Sequence, residues 1–157
     1  MANADNNAAD LVTEYVTMTI GDHMFGLPIF RVQDVFVPAR VTRVPLAPPE
    51  VAGILNLRGR VVTAIDMRSR LDLGARAPGT QVMAIGIELK GEFYGLLVDS
   101  VGEVLQLRNA ACEANPANLD AGLSRVAAGI YRLEGQLMVV LDVDRVLDIQ
   151  NGAAVAA

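Results

Sequence analysis

The chain has 157 residues, 52% of them hydrophobic, with 18 acids against 13 bases and a formal net charge of −5. A chain this long buries roughly 70% of its unfolded surface and needs no disulfide or metal staple, and no apolar run reaches the ~18 residues that cross a bilayer. The acidic balance and a single lysine, Lys90, leave no basic stripe for nucleic acid.

In chain order, the opening MANADNNAAD lacks the basic and apolar regions of a secretory signal, and residues 1–12 are expected as a disordered tail. Alternation then predicts strands over 15–20 and 23–29 joined at Gly21-Asp22, running into a third, Val-rich strand near 31–37. Pro38, Pro45, Pro48 and Pro49 make 38–50 a stiff, extended connection. ILNL (54–57) and RVVTAI (60–65) flank a turn at Arg58-Gly59. Asp66 stands where an N-cap belongs, ahead of a helical turn whose Met67 and Leu71 share one face. Residues 74–80 read as a linker.

The same order then returns. Strands over 82–89 and 92–98 meet at Lys90-Gly91, and a third follows over 100–107. The loop to 125 is longer and softer, IYRL (130–133) and QLMVVL (136–141) flank Glu134-Gly135, and Asp142 precedes a second helical turn carrying Val143 and Leu147. Residues 150–157 are expected as a tail.

The return is literal. FGLPIFRVQDVF (25–36) recurs as YGLLVDSVGEVL (94–105), and GILNLRGRVVTAIDMRSRLDL (53–73) as GIYRLEGQLMVVLDVDRVLDI (129–149). One unit is written twice. Each copy alone would be marginally stable, so the pattern predicts a single all-β domain over 13–149 with two subdomains, about 13–73 and about 81–149, on one shared core. Five short strands and a helical turn per copy suit a small curled barrel. Gly53 and Gly135 are assigned structural roles, as are the two capping aspartates.

Groups for catalysis are sparse. His23 lies beside a hairpin turn, where a solvated ring is the plain reading. Ser69, Ser100 and Ser124 lie in no Gly-x-Ser-x-Gly elbow, and Cys112, the only cysteine, sits in a polar loop as a passive thiol. No phosphate-binding glycine motif occurs. Asp66 and Asp142 admit an acid–base pair, as in a small hydrolase, but their equivalent positions favour caps. No catalytic residue, metal or cofactor is assigned. The copies differ most at Asn56-Leu57-Arg58-Gly59 against Arg132-Leu133-Glu134-Gly135, where the turn charge reverses. Arg58 reads as a solvated charge or as an interface anchor. Val32, Val35, Val101 and Val104 belong to the core, some lining a seam that could accept a helix.

The segments FGLPIFRVQDV, APPEVAGILNLRGRVVTAIDMRSRL and YGLLVDSVGEVL resemble the CheW-like family of bacterial chemotaxis coupling proteins, over roughly residues 13–149. The Asn-Leu-Arg-Gly hairpin, followed by an aliphatic run and Asp-x-Arg, is its specific part. The resemblance implies two SH3-like five-stranded barrels with short helices after each, no enzyme activity, and a cytoplasmic location beside membrane-bound receptor arrays without membrane insertion. It implies that the partners are the cytoplasmic tips of methyl-accepting chemoreceptors, which are helical hairpins, and the histidine kinase CheA through its CheW-like regulatory domain. By position it assigns receptor binding to Val32, Asp34, Arg58, Gly95 and Val101, and kinase binding to Asn56, Leu57, Arg58 and Gly59. Asp34 stands where the family often has Glu, and Phe30 is bulky for its place. A paralogous adaptor for surface motility or development, and a fragment of the kinase or of a receiver fusion, share the same signature.

Overall fold

Strand β1 (Val12–Ile20) carries four consecutive buried residues, Tyr15 to Met18, the mark of a strand covered on both faces. It lies one place in from the edge of a five-stranded sheet. The structure is a computed structural model describing residues 11–74 and 79–149. The other strands are β2 (His23–Pro28), β3 (Asp34–Phe36), β4 (Val51–Leu57), β5 (Arg60–Asp66), β6 (Met83–Leu89), β7 (Glu92–Val98), β8 (Ser100–Arg108), β9 (Ala127–Leu133) and β10 (Gln136–Leu141). Short helices α1 (Met67–Leu71), α2 (Ala121–Ser124) and α3 (Val143–Val146) complete the fold.

The ten strands form two five-stranded sheets, ordered β9-β10-β2-β1-β8 and β3-β6-β7-β5-β4. The all-β expectation of two five-stranded units therefore stands. The membership of each sheet differs from the contiguous split at 13–73 and 81–149. Each sheet takes the first hairpin of one copy and the last three strands of the other. Two joints are parallel, β2 with β10 (Phe25 opposite Val139) and β5 with β7 (Ala64 opposite Gly95). Two are antiparallel, β1 with β8 and β3 with β6. The chain crosses between sheets after β2 and after β7.

Three apolar clusters follow from this exchange. The largest lies between the sheets and joins Met18, Ile20, Phe25 and Leu27 of one to Ile65, Ile85, Ile87 and Leu96 of the other. Each curled sheet also encloses its own cluster, Tyr15, Tyr131, Met138 and Val140 in the first and Leu55, Val62, Ala64, Ala84 and Leu97 in the second. Burial of each such aliphatic or aromatic side chain contributes roughly 1.5–3 kcal/mol. Within the recorded pairings, neither sheet closes edge to edge. Loop residues cover the margins instead, Thr42 bridging Ile54 and Glu113 bridging Ile130.

Three local expectations are adjusted. The third strand of the first copy covers only Asp34–Phe36, because Pro28 occupies the position of Leu97 and the chain turns through a 3₁₀ turn at Ile29–Arg31. The second-copy counterpart runs for nine residues. The soft loop before 125 contains α2, whose N-cap Asp120 accepts a bond from Gly122 N–H. Val12 already belongs to β1, whereas residues 1–10 and 150–157 lie outside the described residues.

Candidate functional site: a cleft beside the β4–β5 hairpin

The hairpin turn is built from Arg58 (φ 52°) and Gly59 (φ 81°), the paired positive values of a tight two-residue turn. Asn56 completes it by accepting a bond from Gly59 N–H through Oδ1 at 3.0 Å. Leu57 turns inward onto the cluster of its own barrel. Of the four hairpin residues assigned to kinase binding, two shape the turn, one packs it, and Arg58 projects.

Arg58 Nη1 donates to Asp34 Oδ2 at 2.7 Å, joining the hairpin tip to β3 across 24 residues of sequence. Asp34 Oδ1 also accepts from Val35 N–H. The Arg58 guanidinium holds the Asp34 carboxyl below the usual carboxylate range, aided by that backbone bond and opposed by desolvation. The Arg58 side chain is 74% exposed, so the pair orients charge at a rim and adds little to folding.

Asp34 and Arg58 border an open cleft of about 150 Å³ whose floor includes Phe36, Val62, Phe93 and Tyr94. Arg60 lies 4.1 Å above the Phe93 ring, a second cation on an aromatic support. Gln33 at the margin is held by Glu88 at 3.2 Å. Sequence reading missed Arg60 and Phe93. Their signal was present: Arg60 follows the hairpin glycine, and Phe93 precedes the motif aromatic Tyr94 on the neighbouring hairpin.

Gly95 is buried in β7 beneath this floor. A Cβ there would stand 3.3 Å from Val62 and 3.5 Å from Phe36, so any side chain would press on the cleft from below. Val32 and Val101 occupy equivalent places just beyond the two crossovers, both half-buried against the shared core. The structure thus brings Asp34 and Arg58 together and places the two valines at the seam. Val35 and Val104, also equivalent and expected in the core, are instead 39% and 47% exposed, because β3 and β8 are the edge strands of the two sheets.

The copies differ again on the outer face of the hairpin. Ile54 and Val61 project away from the barrel interior and are 37% and 62% exposed. The positions matching Ile54 and Thr63, Ile130 and Val139, are buried in the shared core together with Leu123 and Val126 of the α2 region. The loop over 38–50 supplies no such helix, and the first-copy hairpin keeps an apolar outer face.

The remaining candidates have structural occupations. Asp66 accepts from Arg68 N–H at 3.0 Å and Asp142 from Arg145 N–H at 3.3 Å, so each caps its helix. Gly53 (φ 150°) faces Thr42, and Gly135 (φ 85°) forms the second-copy turn. His23 packs edge-on to Phe25 at 6.2 Å. Desolvation raises the Cys112 thiol pKa, the reverse of nucleophile activation. Among the described residues no helix is long and apolar enough to cross a membrane, and no cluster of three metal-ligating side chains occurs.

Comparison with known proteins gives a consistent result. The family model of the CheW-like domain matches residues 14–151. The chain is similar to a chemotaxis protein CheW of Rhizobium meliloti strain 1021, 28% identical over 154 residues, covering 98% of this chain and 99% of the relative. A chemotaxis protein CheW of Helicobacter pylori is 25% identical over 136 residues, covering 87% and 82%. Among solved structures, the scaffolding protein TtCheW from Thermoanaerobacter tengcongensis superposes with a TM-score of 0.79 at 25% identity, covering 89% of this chain and 95% of that one.

Proposed function

The chain belongs to the CheW-like domain family, and from that premise we propose that it is a non-enzymatic chemotaxis adaptor coupling chemoreceptor tips to the histidine kinase CheA. The observation that carries the reading is the Asp34–Arg58 pair, a fixed charge couple on the rim of an aromatic-floored cleft. Such a rim orients a partner, while a few apolar anchors supply affinity.

In this reading the receptor hairpin lies along the seam near Val32 and Val101, with Asp34 and Arg58 setting its register. Gly95 keeps the cleft floor low, a positioning role without contact. The kinase's regulatory domain meets the hairpin tip, Asn56 to Gly59. The adaptor works on the cytoplasmic side of the membrane, held there by its partners. Simultaneous binding lets a small receptor change bias the kinase between states. Modest individual affinities suffice when many copies act together in an array. The helix-capping roles of Asp66 and Asp142 support this reading over a hydrolase.

Arg58→Glu tests the assignment. It opposes two carboxylates across the rim, and binding to the receptor tip or the kinase regulatory domain is expected to fall by at least tenfold in a pull-down. The thermal midpoint should stay within a few degrees, because the pair is exposed. Wild-type affinity for both partners would remove Arg58 from the site.

A further inference from the structure

The two seam valines belong to different sheets. Val32 leads into β3 of the second sheet, where the neighbouring Gln33 N–H donates to the Gly86 carbonyl at 2.7 Å. Val101 lies in β8 and pairs with Met18 of β1 in the first sheet. Their spacing is therefore a distance between sheets, which strand pairing within either sheet does not set. Apolar packing in the shared core holds the sheets together, but that force is non-directional and defines their mutual register weakly.

Helix α1 supplies directional contacts across that gap. It follows β5 of the second sheet and carries Arg68 and Arg70. Arg68 grips Asp99 through Nε at 3.1 Å and Nη2 at 2.6 Å, a two-point fork whose side chains are only 16% and 15% exposed. Asp99 stands two residues before Val101 and is itself bound to the first hairpin. Its N–H donates to the Thr19 carbonyl at 3.0 Å, and its Oδ2 accepts from Gly21 N–H at 2.8 Å. Arg70 donates to the Val146 carbonyl at 2.8 Å and to the Arg145 carbonyl at 2.9 Å, at the end of α3, which follows β10 of the first sheet. Both arginines thus join the second sheet to the first. The repeat places Asp144 and Val146 where the first copy has Arg68 and Arg70, and Phe30 at the position of Asp99. The second copy cannot build the same grip.

We propose that α1 is a clamp between the sheets that sets the spacing of Val32 and Val101, with Arg68 a positioning residue for the receptor site. The role rests on the adaptor reading and adds to it the device that keeps the seam at one width. A helical rod seated across both valines meets an apolar contact from each sheet, so its fit depends on that spacing. The hairpin tip has no such dependence. Asn56 to Gly59 and Asp34 all belong to the second sheet, and a partner bound there is indifferent to where the first sheet lies. The clamp therefore acts on one partner and spares the other.

The test compares wild type with two variants of the full chain. Arg68→Met combined with Asp99→Asn removes both charges together, so no shielded charge is left unpaired. Arg68→Lys keeps the charge without the fork. Nitroxide labels at Val35→Cys and Val104→Cys, on edge strands of opposite sheets and in a Cys112→Ser background, read the spacing by pulsed electron spin resonance. Affinities of the unlabelled chains for the receptor-tip hairpin and for the kinase regulatory domain are measured separately. The double variant is expected to broaden the distance distribution, weaken receptor binding at least fivefold and leave kinase binding within twofold. Arg68→Lys should fall between it and wild type at the receptor, and it decides the matter alone if the double variant does not fold. An unchanged distance distribution overturns the clamp. Receptor binding within twofold of wild type overturns the positioning role, as does an equal loss of kinase binding, which would mark general damage to the fold. A wild type that binds neither partner overturns the adaptor reading and the receptor role with it, while the distance distributions still decide the clamp.

Discussion

Alanine in place of Gly53 destabilises the fold by about 3 kcal/mol, the sum of a strained backbone and a steric clash. Gly53 has φ 150°, a region open to glycine, and its neighbours leave no room for a methyl group. A Cβ would meet the Thr42 carbonyl group, with the carbonyl carbon at 2.7 Å and Val41 Cγ1 at 2.8 Å. The carbonyl cannot retreat, because Thr42 and Ile54 exchange two backbone bonds of 2.7 and 2.8 Å. Gly59→Ala provides the contrast. Gly59 also has positive φ, but open space surrounds its Cβ direction, and that substitution costs only about 1 kcal/mol. Urea unfolding of the two variants separates the steric part from the backbone part. Equal midpoints for Gly53→Ala and wild type would show that the Thr42 bridge is not rigid. Loss of partner binding in a Gly53 variant is then a folding effect, unlike that of Arg58→Glu.

Cutting the chain between Gly74 and Gly79 leaves one particle of unchanged size. Eight strand pairings hold the two sheets, and four of them join strands of different copies: β1–β8, β2–β10, β3–β6 and β5–β7. Separation would break all four and open the shared core, exposing Met18, Phe25, Ile85 and Leu96 together. The Arg68–Asp99 ion pair, 2.6 Å and largely shielded, adds a tie between α1 of the first copy and the second crossover. Asp99 also accepts from Gly21 N–H at 2.8 Å, which joins that crossover to the first hairpin. A protease site placed in the linker, followed by gel filtration at micromolar concentration, checks this. The expected elution matches the intact chain, with a lower urea midpoint because refolding becomes bimolecular. Two half-sized species would mean that each copy folds alone.

The strands were legible because local signals specify them. Turns at Gly21-Asp22, Arg58-Gly59, Lys90-Gly91 and Glu134-Gly135 fix four hairpins, and alternation between them fixes which faces are apolar. Their partners were not legible. The aliphatic faces of β2 and β5 fit a neighbour from either copy equally well, and pairing is decided by the crossovers, which composition does not encode. The short β3 shows the limit locally: Pro28 ended β2 early and spent three residues on a turn. At the site, the Asn-Leu-Arg-Gly hairpin was visible as a break in the repeat, but its bond to Asp34 joins residues on separate elements. Gly95, assigned to receptor binding by the resemblance alone, lies buried under the cleft floor, a placement that depends on Val62 and Phe36 from two other strands. The positive φ of Leu46, 65°, was not legible either, since one leucine among prolines says nothing of its backbone.

The adaptor reading stands or falls on simultaneous binding. Sedimentation of the chain with a receptor-tip hairpin bundle, with the kinase regulatory domain, and with both together measures it directly. The account predicts two binary complexes and a single ternary species heavier than either. Absence of both binary complexes, or displacement of one partner by the other, would contradict it.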